Sequence, residues 1–439
     1  MGQPVTGREL FGWAMYDFAN SSYTTVIVTV YYAVVFPKVI VGDAPDFRLG
    51  NLLWSVALSS SYLLTALTLP LLGAWMDRTG QRKRFLLAST VLTVLATAAL
   101  GLTGPGTVAL AMIAVVVSNY GFSVGESFVA AFLPDLGPPE RLGRISGMAW
   151  GLGYLGGLGS TLLVLGGLGV VTPDNPLVRW AGPITALWFA VAAIPTFLWV
   201  RDRAAPKPLP PGSNAWTAGL VTLLDTARHL PRYRDLMVFL GSHLFAMAGL
   251  SIVVSFAFVY GDQVIHWSVP LQGGMFVLTQ LSAALGALGF GWFQGRIGDL
   301  RTYAVTLVLW CLAVALLRLT GPVAAAIPGV EEAHVLLLVG ALAGACMGAT
   351  QSAARTIVAL LSPPERVGEF FGLWGTFGKL AAVFGLLSLG GLQAALGLKD
   401  AILLCGVFFA IGLAILLGVD VDRGRKAATT EAGSASVLQ

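Results

Sequence analysis

Two ionisable side chains lie inside one long apolar stretch of the sequence, residues 344–385. Arg355 and Lys379 stand among small, aliphatic and aromatic residues, and only the turn sequence at 363–366 interrupts the stretch. A charged side chain is costly in the hydrocarbon of a membrane, so such residues usually bind, couple or pair. Gln351 lies one helical turn before Arg355 and shares its helix face. The stretch therefore predicts a polar site inside an apolar helical bundle.

The same arrangement occurs 225 residues earlier in the chain. A duplicated membrane half with polar residues at matched depths is typical of secondary transporters. At this offset Gln351 aligns with Glu126, Pro363 with Pro138, Arg366 with Arg141 and Gly372 with Gly147.

Two further apolar stretches carry polar residues at helical spacing. Asp17 and Asn20 are three residues apart, and Asn119 and Glu126 are two turns apart. Each pair therefore lies on one face of its predicted helix. These side chains add two carboxylates and two amides to the candidate site.

The composition is that of a polytopic membrane protein. Of the 439 residues, 56% are hydrophobic and 11% are charged, whereas soluble domains carry about 25% charged residues. The formal charge of +4 is interpreted as membrane topology and predicts no nucleic-acid partner. The sequence shows no phosphate-binding loop, nucleophile motif or metal-spaced cluster, so we expect no enzyme activity, no cofactor and no metal site.

The predicted fold class is an all-α integral membrane protein with twelve transmembrane helices in two six-helix repeats. We expect an N-terminal half at 1–200, a cytoplasmic linker at 201–235, a C-terminal half at 236–419 and a polar, disordered tail at 420–439. The predicted spans are 11–36, 51–75, 85–103, 107–133, 145–171, 180–200, 236–261, 270–294, 302–320, 334–361, 368–396 and 400–419.

The distribution of lysine and arginine predicts the orientation. Nineteen of the 26 basic residues fall on the side that holds both termini, five fall on the other side, and two lie within spans. Basic residues are enriched in cytoplasmic loops, so both termini are expected to be cytoplasmic. From that side, Asp17, Glu126, His243 and Arg355 lie roughly 9–11 Å along their helices, which allows one ring of polar groups. Lys379 lies deeper.

The loop after the second span has a recognisable pattern. Residues 73–84 run from a glycine through Asp77-Arg78-x-Gly80 to a basic triplet that begins at Arg82, and a weaker copy occupies 291–301. The pattern resembles the signature of the major facilitator superfamily. Glycine permits the tight turn that such a loop requires.

Two further motifs are similar to those of the vacuole-effluxer branch of that superfamily, which includes the autophagy-related amino-acid permeases. They are Tyr-Asp-Phe-Ala-Asn-Ser-Ser-Tyr at 16–23 and the stretch 351–379 with Gln-x-x-x-Arg, Gly-Glu-Phe-Phe-Gly and Gly-Lys. The seventh span departs from the family: Ala-Met-Ala-Gly at 246–249 stands where relatives carry an Asn-Asp pair, and His243 is the polar residue nearby.

The resemblance implies a central cavity lined by the first, fourth, seventh and tenth helices, which carry most of these polar residues. Carboxylates and basic groups of nearly equal number suit a zwitterionic solute, because arginine can bind a carboxylate and an acid can receive an ammonium. The candidate substrate or coupling residues are Asp17, Asn20, Asn119, Glu126, His243, Gln351, Arg355 and Lys379, and the candidate cavity aromatics are Tyr16, Tyr23 and Tyr154.

A purely structural role is the alternative hypothesis for each of these residues. Asp17 and Glu126 would then only neutralise Arg355 or Lys379. His243 would be hydrogen-bonded locally, the amides would join helices, and the aromatics would be packing residues. A separate group at the cytoplasmic rim is expected to form gate salt bridges: Asp77, Arg78, Arg82 and Glu369.

The sequence thus predicts a monomeric secondary active transporter in the plasma (bacterial inner) membrane. It would export a small polar or zwitterionic solute, amino-acid-like by the resemblance, by alternating access, with or without proton coupling. The expected partners are the small-molecule substrate, membrane lipid and, where coupling applies, protons. Two alternatives remain: a lipid or amphiphile flippase of the same fold, and a membrane sensor or scaffold that transports nothing.

Overall fold

The computed structural model describes residues 4–43, 47–207, 230–263 and 269–437, together with the single residues 221, 228 and 265. Much of the predicted linker at 201–235 lies outside the described residues. Within the described ranges the regular structure is helical and contains no strand.

Twelve helices in the described part of the chain are long and apolar enough to cross a membrane. Each of the twelve predicted spans corresponds to one of them, so the predicted fold class is confirmed. The helices are α1 (Gly7–Val41), α2 (Arg48–Thr79), α3 (Arg82–Leu102), α4 (Val108–Ala130), α5 (Pro139–Leu168), α6 (Pro176–Trp199), α7 (Arg234–Gln263), α8 (Val269–Ile297), α9 (Asp299–Arg318), α10 (Glu332–Leu361), α11 (Val367–Leu396) and α12 (Leu398–Leu416).

Helix α1 starts with a side-chain cap and loosens toward its other end. The hydroxyl of Thr6 accepts a hydrogen bond from the backbone N–H of Glu9 at 3.3 Å. This contact satisfies one of the N–H groups that the first turn of a helix leaves without a partner. Tyr23–Val30 and Phe36–Val41 are π-helical. Such wider turns are rare in proteins, and those that occur are often located at functional sites.

The glycine turns expected from the repeated loop signature are present. Gly80 ends α2 with φ +62°, and Gly298 precedes α9 with φ +93°. Both values lie in the region that glycine occupies without a steric penalty. At Gly80 a Cβ atom would also lie 2.5 Å from the backbone nitrogen of Pro206, so no larger residue fits there without movement.

The described chain divides into two compact units. The first unit is Met1–Leu136, Leu152–Leu223 and Phe371–Thr376, and the second is Gly137–Gly151, Leu224–Phe370 and Phe377–Gln439. Most of α5 therefore belongs to the first unit, whereas its first turns belong to the second.

The same helix pairs pack together in each unit. In the first unit, α1 packs on α6, α2 on α4, and α3 on both α4 and α6. In the second unit, α7 packs on α12, α8 on α10, and α9 on both α10 and α12. Each packed helix pair of the second unit corresponds to a packed pair of the first unit whose helix numbers are lower by six. This correspondence confirms the predicted six-helix repeats.

A further helix follows α12 within the predicted tail. Val421–Val437 form a helix, α13, and the side chain of Asp420 accepts the backbone N–H of Arg423 at 2.9 Å at its start. The guanidinium of Arg423 bonds both carboxylate oxygens of Asp235 on α7, at 2.6 and 2.8 Å. A cap and an ion pair thus order the start of a segment whose composition alone offers little apolar surface to bury.

Candidate functional site

The two predicted carboxylates of the first unit belong to one neighbourhood. Asp17 on α1 is 8% exposed, and Glu126 on α4 is half-buried. Tyr16 adjoins Asp17 on α1, and a Cβ atom at Gly125, next to Glu126, would lie 2.5 Å from the Tyr16 hydroxyl. A Cβ atom at Gly153, next to Tyr154 on α5, would lie 3.2 Å from the carbonyl oxygen of Asp17. The first unit therefore places the segments of α1 and α4 that carry the acidic cluster, Asp17 and Glu126, next to each other and to the segment of α5 that carries Tyr154.

Polar atoms without hydrogen-bond partners occur on the same two helices. Asn20, Asn119 and Ser123 are each buried, and the side-chain oxygen of each has no hydrogen-bond partner within the described part of the protein. The amide nitrogen of Asn119 donates to the hydroxyl of Ser61 on α2 at 2.7 Å, which leaves its oxygen available. Buried oxygens without a hydrogen-bond partner are unusual in folded proteins, so these three are candidates for hydrogen bonds to a ligand or a water molecule.

Tyr16 and Tyr23 are packed inside the first unit. The Tyr16 hydroxyl lies 2.9 Å from the hydroxyl of Thr90 on α3, and the Tyr23 hydroxyl lies 2.8 Å from that of Ser118 on α4. Both tyrosines are 1% exposed or less. These contacts favour the packing interpretation of the two tyrosines, since a buried phenol needs such a partner. Tyr154 on α5 is 8% exposed.

Arg355 on α10 is held by two residues of α5 in the second unit. Its Nε donates to the hydroxyl of Ser146 at 3.1 Å, and its Nη2 donates to the Ser146 carbonyl at 3.1 Å. The Ser146 hydroxyl in turn donates to the carbonyl of Ser352 at 3.0 Å. The guanidinium carbon lies 5.3 Å from the ring centre of Trp150, within the range of a cation–π contact. Arg355 is 2% exposed, so these contacts replace water around a buried charge.

His243 lies in an aromatic cluster of the second unit. Its Nδ1 is 3.3 Å from the hydroxyl of Tyr303 on α9, and its ring stacks on Phe239 with 6.0 Å between centroids. At 2% exposure this arrangement favours the locally hydrogen-bonded interpretation. Gln351 and Lys379 are half-buried, and the side-chain nitrogen of Gln351 donates to the carbonyl of Met347 on its own helix at 3.4 Å.

The predicted gate residues of the first unit form an ion network around Arg82. Its guanidinium lies 3.8 Å from the Asp77 carboxylate and 2.8 Å from that of Asp135, in the turn after α4. Burial raises the pKa of Asp135 above its usual range, although Arg82 and Arg203 act in the opposite direction. Arg78 is half-buried, and its carbonyl accepts the backbone N–H of Lys207 at 3.0 Å.

Glu369 forms an ion pair with Arg366, at the start of its own helix. The Arg366 guanidinium contacts both carboxylate oxygens, at 2.9 and 3.3 Å, and also donates to the Tyr233 hydroxyl at 3.3 Å. Glu369 is fully buried. Its position in the first turn of α11 is also favoured by the positive end of that helix.

Three partners of predicted site residues were not found from the sequence: Ser146, Asp135 and Tyr233. Ser146 and Trp150 are four residues apart and share a helix face, which is the one sequence signal that could have paired them. Asp135 and Tyr233 lie just outside predicted spans, and nothing in their spacing marks them.

A model of the family described as "Vacuole effluxer Atg22 like" matches residues 53–429 of the chain. The chain belongs to this family. It is a multi-pass membrane protein and a major facilitator superfamily transporter, as its relatives and its fold both indicate.

Members of the vacuole-effluxer family and other curated proteins resemble the chain over different lengths. An uncharacterized MFS-type transporter of Bacillus subtilis, YxiO, is 25% identical over 414 residues, which cover 92% of this chain and 93% of that protein. Autophagy-related protein 22-1 of Penicillium rubens is 26% identical over 299 residues. That match covers 64% of this chain and spans half the length of the fungal protein.

Solved structures share the fold at low sequence identity. The human organic anion transporter MFSD10 (TETRAN) superposes with a TM-score of 0.68 at 18% identity, covering 94% of this chain and 100% of that chain. A bacterial homologue of the iron transporter ferroportin, in an outward-facing state, also gives 0.68 at 16% identity, covering 94% and 99%. These likenesses show the major facilitator fold.

Proposed function

We propose that this vacuole-effluxer-family protein is a secondary active exporter of an amino-acid-like zwitterion that works by alternating access. The observation that carries the proposal is the acidic cluster of Asp17 and Glu126 in the first unit. The unpartnered oxygens of Asn20, Asn119 and Ser123 lie on the same two helices. Carboxylates and neutral oxygens are the acceptors that an ammonium group requires.

The direction and class of solute are supported by the family. Its description is that of a vacuole effluxer, and several of the similar proteins are named autophagy-related protein 22. Export of an amino-acid-like solute is the function that the motif resemblance implies for this branch.

In this proposal Arg355 receives the carboxylate of the solute. A guanidinium can form two parallel hydrogen bonds to a carboxylate, which lysine cannot reproduce. The contacts of Arg355 with Ser146 would hold its plane in a fixed orientation. The opposing hypothesis is that Arg355 has only a structural role. Substitutions of Arg355 distinguish the two hypotheses.

We further propose that a proton gradient drives export, with Asp17 or Glu126 as the carboxylate that carries the proton. Intramembrane carboxylates commonly serve as proton relays in transporters. The protein would act as a monomer in the plasma membrane with both termini in the cytoplasm.

The experiment is counterflow in proteoliposomes containing purified protein, with labelled amino acids outside and unlabelled amino acids inside. We expect Glu126→Gln to reduce counterflow about tenfold or more, because a charge-assisted hydrogen bond contributes roughly 1.5–3 kcal/mol. Arg355→Lys should impair counterflow nearly as much as Arg355→Ala. An imposed pH gradient should drive accumulation.

Asp174→Asn is the matched control, because it removes a carboxylate from an exposed loop. Rescue of Arg355→Ala by Glu126→Gln would contradict solute binding by Arg355 and leave it a structural charge. Transport restricted to solutes with acyl chains would indicate a flippase. Absence of counterflow with every amino acid and lipid tested would contradict the transporter proposal itself.

A further inference from the structure

A cavity of ≈ 1020 Å³ lies where the ends of three helices of the first unit meet. It is lined by the start of α1, the start of α3 and the end of α6. Gly7 and Trp199 are the first residue of α1 and the last of α6. Because these are the ends of membrane-spanning helices, the cavity lies at the boundary between hydrocarbon and water, where tryptophan and basic residues concentrate.

The lining carries more positive than negative charge. Arg8, Lys83 and Arg201 line the cavity together with a single acid, Asp202. The Asp202 carboxylate accepts backbone N–H groups of Lys83 at 2.9 Å and of Ala204 at 3.3 Å. Lys83 Nζ is held against the carbonyl of Val200 at 2.8 Å, so its charge is fixed at the cavity.

The buried acid Glu9, near these cations, pairs with Arg203, a further cation that does not line the cavity. Glu9 is 1% exposed and forms a two-armed ion pair with Arg203, one arm of which is 2.9 Å long. One of its oxygens also accepts the backbone N–H of Arg201 at 3.2 Å. Arg8 and Arg201 themselves are exposed.

An apolar surface continues from the cations toward the membrane. Leu198 is 68% exposed, and the rings of Phe11 and Trp199, both exposed, lie 6.1 Å apart. A free anion would contact only the cations, whereas a phospholipid also requires an apolar surface beside them for its acyl chain.

We propose that this cavity binds the phosphate headgroup of an anionic phospholipid, with its acyl chain along Phe11, Leu198 and Trp199. Basic side chains at a membrane surface attract such headgroups, and guanidinium groups bind phosphate oxygens in pairs. The bound lipid would hold the start of α1 against the end of α6. The inference is independent of the solute that the protein carries.

The test is native mass spectrometry of the full-length protein in detergent, titrated with phosphatidylglycerol or with phosphatidylcholine of the same acyl chains. The wild-type protein should retain phosphatidylglycerol in preference to phosphatidylcholine. Arg8→Gln with Arg201→Gln should weaken phosphatidylglycerol binding roughly tenfold or more, since each charge near the surface contributes about fivefold. Arg8→Lys with Arg201→Lys should retain most of the binding.

The control is Arg84→Gln with Arg141→Gln, which removes two exposed charges that do not line the cavity. The control should leave binding unchanged, and thermal unfolding should be the same for all variants. Equal binding of the two lipids, or equal weakening by the control pair, would overturn the proposal. Displacement of phosphatidylglycerol by inorganic phosphate at equal concentration would indicate a free-anion site and would overturn the assignment to a lipid.

Discussion

Arg355 and Arg82 are buried cations that the protein stabilises with different partners. Arg355 is bonded to a serine hydroxyl and a backbone carbonyl, with an indole ring beside it, whereas Arg82 is shared by two carboxylates. A buried charge is tolerated only when such groups replace its hydration. Hydrogen bonds to a charged group contribute roughly 1.5–3 kcal/mol each, about twice the neutral value.

The first prediction concerns the serine that holds Arg355. Ser146→Ala removes the acceptor of Arg355 Nε and the donor to the Ser352 carbonyl. We expect the free energy of unfolding to fall by about 1.5–3 kcal/mol, because a buried charged donor loses a partner. The measurement is thermal or denaturant unfolding of the purified protein in detergent.

Ser160→Ala is the matched control for this prediction. Ser160 is a buried serine on the same helix, and its hydroxyl donates to the carbonyl of Gly157 at 2.9 Å, within that helix. Its replacement should have a smaller effect, about 1 kcal/mol or less. Equal destabilisation by the two variants would show that the Ser146–Arg355 bond contributes nothing specific.

At the scale of elements, small residues allow close approach between helices of a unit. In the second unit, the first turns of α5 pack on α8 where Gly147 faces Ala287 and Gly291. Because lipid is as apolar as the side chains, helices in a membrane associate through close packing and hydrogen bonds more than through burial of apolar surface. A single methyl group at such a contact therefore has a large effect.

The second prediction tests this contact with two glycines of one helix. A Cβ at Gly147 would lie 2.3 Å from the carbonyl oxygen of Ala287, whereas a Cβ at Gly166 would meet nothing within 4 Å. Gly147→Ala should lower the free energy of unfolding by about 1–3 kcal/mol through overpacking. Gly166→Ala should be neutral or slightly stabilising, since alanine favours helix more than glycine.

Thermal unfolding of the two variants under the same detergent conditions is the measurement. A stable Gly147→Ala protein would mean that α5 does not approach α8 at this point. A destabilised Gly166→Ala protein would mean that the face of α5 that carries Gly166 is packed against other atoms in solution.

At the scale of the whole molecule, the two six-helix repeats and the twelve spans define the topology. An even number of crossings places the two ends of the spanning region on the same side of the membrane. The excess of basic residues on that side predicts that it is the cytoplasm. The acidic loop residue Asp174 and the turn residue Gln81 lie on opposite sides in this topology and are both exposed.

The third prediction is that these two positions label from opposite sides. In a variant whose three native cysteines are replaced by alanine, Asp174→Cys should react with an impermeant thiol reagent added to intact cells. Gln81→Cys should react only after the cells are opened. The reverse pattern would invert the proposed orientation, and labelling of both in intact cells would contradict twelve crossings.

The sequence by itself determined the spans, the repeat and the family. Helix positions follow from apolar length, since backbone groups in a membrane must be hydrogen-bonded within each span. The turn at Gly80 was predictable because its φ of +62° suits glycine. The motifs at 16–23 and 351–379 identified the family that the match over 53–429 now shows.

The tertiary structure alone decided which partner each polar side chain has. Arg355 and Ser146 are 209 residues apart, and Arg82 and Asp135 are 53 apart. His243 has its contact with Tyr303, on a neighbouring helix of its own unit. Periodicity fixes the face of a helix on which a residue lies, but not the rotation of that helix or the neighbour it faces. Those depend on packing between distant segments, which the local spacing of residues does not contain.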